Sequence, residues 1–138
     1  MLLALLSVNR CQTLQALVLQ NTVSSDLEYV FTVNKLLKHG GQNRSQAPTV
    51  FAAYTQSAEL CVVQNLKVYI DRTKPLRAAH TQLLISFQNP YLPVSTDTIA
   101  GWLKIVLRAA GTSDDFSAHS TVQPLLLLLS VRACQLKL

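Results

Sequence analysis

The sequence predicts one mostly helical α+β domain with a small antiparallel sheet at one edge. Apolar residues recur at helical spacing in several stretches, and two stretches with strand-like texture flank a polar turn. The chain has 138 residues, 49% apolar and 14% charged, which allows a single sizeable core and excludes a disordered chain. The predicted order is helix, helix, hairpin, helix, short strand, helix.

The first stretch, residues 2–19, is rich in Leu, Ala and Gln and contains neither Gly nor Pro. Its apolar residues recur at helical spacing, which predicts helix. The tripeptide SVN at residues 7–9 breaks this stretch into two helices, with Arg10 near the start of the second.

A β-hairpin is predicted next. Tyr29, Phe31 and Val33 alternate with smaller or polar residues, and PTVFAAY at residues 48–54 reads as a second strand. Ser and Asp at residues 25–26 supply turn chemistry before the first strand.

The connection between these strands is polar, glycine-bearing and basic, with Lys35, Lys38 and Arg44. It is either a solvated loop or a mobile hairpin tip that contacts phosphates, because Lys and Arg on such a tip can follow a nucleic-acid backbone.

Residues 58–73 predict a helix, and the sequence Lys74-Pro75 ends it. One face of this helix consists of Leu60, Val63, Leu66 and Ile70. QLLISF at residues 82–87 predicts a short strand, followed by a loop that contains two prolines.

The clearest element is the helix predicted within residues 95–111. Either Ser95 or Asp97 caps its start, and Gly111 suits the position after its end. Its continuous apolar face consists of Ile99, Trp102, Leu103, Val106, Leu107 and Ala110. On the opposite face, Lys104 and Arg108 are either solvated or in contact with DNA.

A net charge of +5 and a pI near 9.4 favour an anionic partner, nucleic acid before a membrane surface. Neither terminal apolar run approaches the about 20 residues that cross a bilayer, so no membrane association is expected. Cys11, Cys61 and Cys134 form no CxxC pair, so we expect inert thiols, no metal and no cofactor. A reducing location, nuclear or otherwise intracellular, fits best.

Three features occur in a telling order: an arginine after a helix break in SVNRCQTLQAL, a lysine on the hairpin in NKLLKHGGQNR, and a histidine in AHST after the long helix. As a set, over residues 2–121, they resemble the catalytic domain of tyrosine recombinases, the phage-integrase-like proteins. The versions carried by animal mobile elements have a similar texture from KPLR to the histidine.

The resemblance implies DNA strand breakage and rejoining, in which a tyrosine attacks a phosphodiester and forms a covalent phosphotyrosine. It assigns Arg10 to the arginine clamp on the phosphate and His119 to the H-x-x-R motif. It assigns Lys38, with Lys35 as the alternative, to the hairpin lysine that protonates the leaving 5′ oxygen.

The chain departs from this pattern after His119. It reads H-S-T-V, so Val122 stands where the second arginine belongs, and all four tyrosines precede His119. We therefore expect a partial catalytic domain over residues 1–121 and an aberrant tail over residues 122–138. A frameshift near Thr121 is our hypothesis for the tail, because VQPLLL can be encoded so that the neighbouring frame reads SAAATS.

The sequence thus predicts a recombination- or integration-type DNA-binding domain that is catalytically inactive. Its DNA contacts are weak and directed at phosphates, through Arg10, Lys35, Lys38, Arg44, Lys104 and Arg108. The alternative is a helical interaction protein with no nucleic-acid role. The aliphatic residues 124–138 either cover core or promote self-association.

Overall fold

The computed structural model describes residues 3–4, 11–33 and 47–111, which form an α+β fold as expected. Within these ranges, Leu3 and Ala4 are helical. The remaining elements are α1 (Cys11–Gln15), β1 (Val23–Ser24), β2 (Glu28–Phe31), β3 (Thr49–Ala52), α2 (Val62–Thr73), a 3₁₀ turn (Lys74–Leu76) and α3 (Thr96–Ala109).

The three strands form one antiparallel sheet in the order β1-β2-β3. The predicted hairpin is confirmed as β2 and β3, although both strands are shorter than the sequence indicated. Tyr29, Phe31 and Val33 are all buried, as their alternation predicted. Phe31 meets Phe51 of β3 edge to face, with ring centroids 5.9 Å apart, so this face of the sheet supplies an aromatic part of the core.

The outer face of the sheet carries an apolar row. The strand register aligns Val23 with Val30, and Val30 with Val50. Val23 and Val50 are 68% and 51% exposed. Alternation along the strands therefore gives this sheet apolar side chains on both faces, buried on one and solvated on the other.

The turn before β2 forms as predicted. The hydroxyl of Ser25 accepts hydrogen bonds from the backbone N–H groups of Leu27 and Glu28, at 3.2 and 3.1 Å. This turn joins β1 to β2, and β1 itself was not predicted because two residues give no periodicity.

Helix α3 matches its prediction closely. Ser95, rather than Asp97, is the N-cap: its Oγ accepts from the N–H of Thr98 at 3.2 Å. Ile99, Leu103 and Leu107 are buried, whereas Ala110 at the end of the predicted face is exposed. Gly111 has a φ of 82°, which glycine adopts without strain after a helix.

Helix α2 begins four residues later than expected. Cys61 has extended backbone angles and precedes the first helical residue, Val62. Leu60, which the pattern placed on the buried face, lies before the helix and is 55% exposed. The helix ends at Thr73, before Lys74-Pro75, as predicted.

The prediction of helix through residue 19 is wrong. Helix α1 ends at Gln15, and the chain then runs extended beside residues 81–83. The N–H of Leu19 donates to the carbonyl of Thr81, and the N–H of Leu83 donates to the carbonyl of Leu17, both at 2.8 Å. Leu17 keeps its buried position in this extended form, so apolar spacing alone did not distinguish it from helix.

The predicted strand over residues 82–87 is also wrong. Within the described ranges, the segment makes isolated bridges and no strand, with Gln82 bridged to Val18 and Ile85 to Pro93. Its apolar side chains are nevertheless core, since Leu83 and Ile85 are buried. No helix among the residues described has both the length and the apolar character needed to cross a bilayer.

Candidate nucleic-acid interface

Helix α3 presents two cations to solvent. Lys104 and Arg108 are both exposed and lie one turn apart, about 6 Å along the axis. Arg108 is in the last turn, where a cation also interacts favourably with the helix dipole. This arrangement suits phosphate contact and a simple solvated helix end equally well.

Gly101 lies on the same stripe of α3, one turn before Lys104. A Cβ added at Gly101 would meet no atom within 4 Å, so packing inside the fold does not require a glycine at this position. It leaves the helix surface low beside the two cations, which permits close approach of another backbone.

The basic connection between β2 and β3 starts and ends at the same end of the sheet, because Phe31 is paired with Thr49. Its cations, Lys35, Lys38 and Arg44, lie outside the described residues. In sequence, residues 34–46 carry these three cations and no Asp or Glu. The register therefore fixes where this cationic segment is attached.

The residues assigned by resemblance to catalysis, Arg10, Lys38 and His119, all lie outside the described ranges, as does Val122. Of the six predicted DNA-contacting residues, the structure places only Lys104 and Arg108. Helix α1, which begins at the residue after Arg10, packs against α3.

Arg77 is the charged residue that sequence reasoning missed. It is only 5% exposed, and its guanidinium donates to the hydroxyl of Thr73 and to the carbonyls of Gln82 and Leu83. Its Cζ lies 5.5 Å from the ring centroid of Tyr69. Burial lowers the pKa of the guanidinium. The N–H groups of its guanidinium donate to acceptors within the protein. Arg77 therefore stabilises the fold and is not assigned to phosphate binding.

No sequence signal marks this role, since the partners of Arg77 are two carbonyls, a hydroxyl and an aromatic face rather than a carboxylate. Tyr69 contributes a second link to the same segment, because its hydroxyl accepts from the N–H of Ile85 at 3.1 Å. Together, Arg77 and Tyr69 fix residues 82–85 against α2.

The structure describes all four tyrosines. Tyr29 is in the core, Tyr69 supports residues 82–85, and the hydroxyl of the exposed Tyr54 donates to Gln56 Oε1 at 2.9 Å. Tyr91 adopts a φ of 58° beside the prolines of its loop.

Lys67 forms an ion pair with Asp26, with Nζ and Oδ1 2.5 Å apart. The hydrogen bond and the positive charge of Lys67 lower the pKa of Asp26, and the same contact raises the pKa of Lys67. The pair joins the turn before β2 to α2, so the charge of Lys67 is paired with a carboxylate of the same chain.

Cys11 and Cys61 are free thiols. Cys61 is buried, and its Sγ accepts from the N–H of Tyr54 at 3.4 Å. Hydrogen bonding from the backbone N–H of Gln64 lowers the pKa of Cys61, against the effect of burial, whereas burial raises the pKa of Cys11. In the described part of the chain, no three His, Cys, Asp or Glu side chains are grouped to hold a metal ion.

Comparison of the chain with protein-family models, with curated proteins and with solved structures finds no match in any of the three. The resemblance to tyrosine recombinases therefore stays a prediction from the sequence.

Proposed function

We propose that this protein binds DNA through its phosphate backbone and is a catalytically incomplete relative of tyrosine recombinases. The observation that carries the proposal is the attachment of an acid-free, cationic segment to one end of a paired hairpin. Such a segment can follow the phosphates of a duplex without reading its sequence.

The exposed cations of α3 support the same proposal. Lys104 and Arg108 project from a rigid helix that is capped at Ser95 and anchored by its buried face. Gly101 leaves room beside them for a nucleic-acid backbone. The basic net charge of the chain adds long-range attraction to any polyanion.

Strand cleavage is not part of the proposal. Loss of one clamp on the transition-state charge costs on the order of a hundred- to a thousand-fold in rate. By the resemblance, Val122 stands at the position of that clamp, and residues 120–138 contain no tyrosine that could act as nucleophile. We expect no covalent complex between protein and DNA that survives denaturation.

Three matched double variants test which cations bind DNA. Lys35→Ala/Lys38→Ala removes two charges from the hairpin connection, and Lys104→Ala/Arg108→Ala removes two from α3. Arg72→Ala/Lys74→Ala removes two exposed charges from the end of α2 and serves as the control. We expect the first two to weaken binding of labelled duplex DNA by about tenfold or more, and the control to weaken it less.

Equal weakening by all three variants would mean that net charge alone acts and would refute the assigned surface. Arg10→Ala tests the phosphate pocket separately: unchanged binding would refute that assignment. Circular dichroism must show the same helical signal for every variant.

A second candidate function is an interaction protein with no nucleic-acid role. The row of exposed Val23, half-buried Val30 and exposed Val50 favours it, because apolar sheet faces in solvent mark contact surfaces. This candidate requires that the folded chain bind no DNA at low salt.

A further inference from the structure

An apolar pocket of about 400 Å³ opens between α2, the segment after Arg77 and α3. Its walls include Leu3, Val62, Leu66, Leu84, Phe87 and Trp102, and none of its described lining residues is charged. Phe87 stands at its rim, 74% exposed, with its ring centroid 6.2 Å from that of Trp102. A large aromatic side chain held open to water beside an apolar pocket indicates a surface that another apolar group covers.

We propose that residues 124–131 of this same chain, PLLLLLSV, occupy the pocket. The segment carries five consecutive leucines and no charge, which matches the uncharged walls. This inference is independent of DNA binding, because Lys104 and Arg108, the two assigned cations that the structure describes, do not line the pocket.

The segment is close enough along the chain to reach the pocket. Trp102 lies in α3, and Gly111 follows the end of that helix about 13 Å further along its axis. Residues 112–123 can span up to about 40 Å when extended, which exceeds the distance back to Trp102.

Tethering favours this occupant over a second copy of the chain. A segment joined to the fold by only 12 residues, 112–123, has an effective concentration on the order of millimolar at its site. A second molecule in dilute solution is present far below that concentration. A nucleic acid would find no cation on the described walls.

Trp102 is the single tryptophan of the chain, so its fluorescence reports directly on the pocket. In the full wild-type chain, we expect blue-shifted emission that is shielded from acrylamide and unchanged on dilution. Leu126→Asp/Leu128→Asp should shift the emission to the red and remove the shielding. The matched control, Leu136→Asp/Leu138→Asp, places the same charges outside the segment and should leave both properties unchanged.

Three results would overturn the proposal: quenching of wild-type Trp102 as efficient as that of a free indole, shielding that persists in Leu126→Asp/Leu128→Asp, or shielding lost on dilution. The last result would assign the pocket to a second copy. The wild-type measurements need no variant, and Leu127→Gln repeats the test with a smaller change should the double variant fail to fold.

Discussion

Helix α3 and residues 82–85 both place aliphatic side chains in the core, yet their backbones are satisfied in different ways. The amides of α3 bond within the helix, and Ser95 caps its first turn. In residues 82–85, two backbone carbonyls accept hydrogen bonds from Arg77, and one backbone N–H donates to the hydroxyl of Tyr69. An apolar pattern therefore predicts structure well where hydrogen-bond partners are local, and poorly where distant side chains supply them.

The largest expected effect comes from weakening the packing of α3. Ile99 is fully buried in the common core. Ile99→Ala should lower the free energy of unfolding by about 3 to 4 kcal/mol, because it removes buried methyl groups and leaves a cavity. Urea unfolding followed by circular dichroism measures this loss, and a loss no larger than that of a surface substitution such as Gln64→Ala would contradict the buried position.

The second-largest effect is expected from removing the hydrogen bonds that Arg77 donates to residues 82–85. Arg77→Met keeps a side chain of comparable length but leaves the carbonyls of Gln82 and Leu83 without their donor. We expect a loss of about 2 to 3 kcal/mol in the free energy of unfolding. Arg77→Lys should recover only part of it, because an ammonium cannot reproduce the planar fork.

Hydrogen exchange separates these two variants. The amide of Ile85 should exchange faster in Arg77→Met than in Ile99→Ala, although the latter is less stable overall. If Ile85 exchanges at the global rate in both variants, Arg77 does not fix this segment locally.

The smallest effect concerns the ion pair between Asp26 and Lys67. Because Lys67 lowers the pKa of Asp26 in the folded state, the pair stabilises the fold at neutral pH, and this contribution is lost as the pH falls through the folded-state pKa. Wild type should therefore lose more stability than Asp26→Asn on acidification. Asp26 is 94% exposed on its side chain, so salt should reduce the difference.

Lys67→Met provides the check on this prediction. Removing the partner should abolish the extra acid sensitivity just as Asp26→Asn does. Acid sensitivity equal to wild type in both variants would show that another carboxylate is responsible.

Much of the fold follows from local sequence signals. Alternation correctly predicted which residues of β2 face the core. The 3.6-residue period predicted α3, and residue type predicted its N-cap and its terminal glycine. The same signals failed at residues 16–19 and 82–87. Residues 17–19 pair with residues 81–83, and residues 84–86 pair with residues 92–94. These pairings are supported by Arg77 and by tertiary packing, and a periodic pattern in the sequence indicates neither of them.

The candidate site was predictable only in part. The helical period correctly set Lys104 and Arg108 on the exposed face of α3, and the hairpin that carries Lys35, Lys38 and Arg44 has the expected pairing. The assignment of Arg10, Lys38 and His119 to one phosphate site rests on the family resemblance and stays a prediction, because residue spacing does not indicate that three distant segments meet. The buried role of Arg77 could not be predicted from the sequence, because it depends on hydrogen bonds to backbone carbonyls that only the structure shows.

Salt dependence of DNA binding tests the central claim most directly. The full chain is titrated with labelled duplex DNA at salt concentrations of about 50 and 200 mM. Contact with two or three phosphates predicts binding that weakens by about ten- to fiftyfold between these concentrations, with little dependence on DNA sequence. A folded chain that binds no DNA at the lower salt concentration would contradict the proposed function and leave the protein as an interaction module.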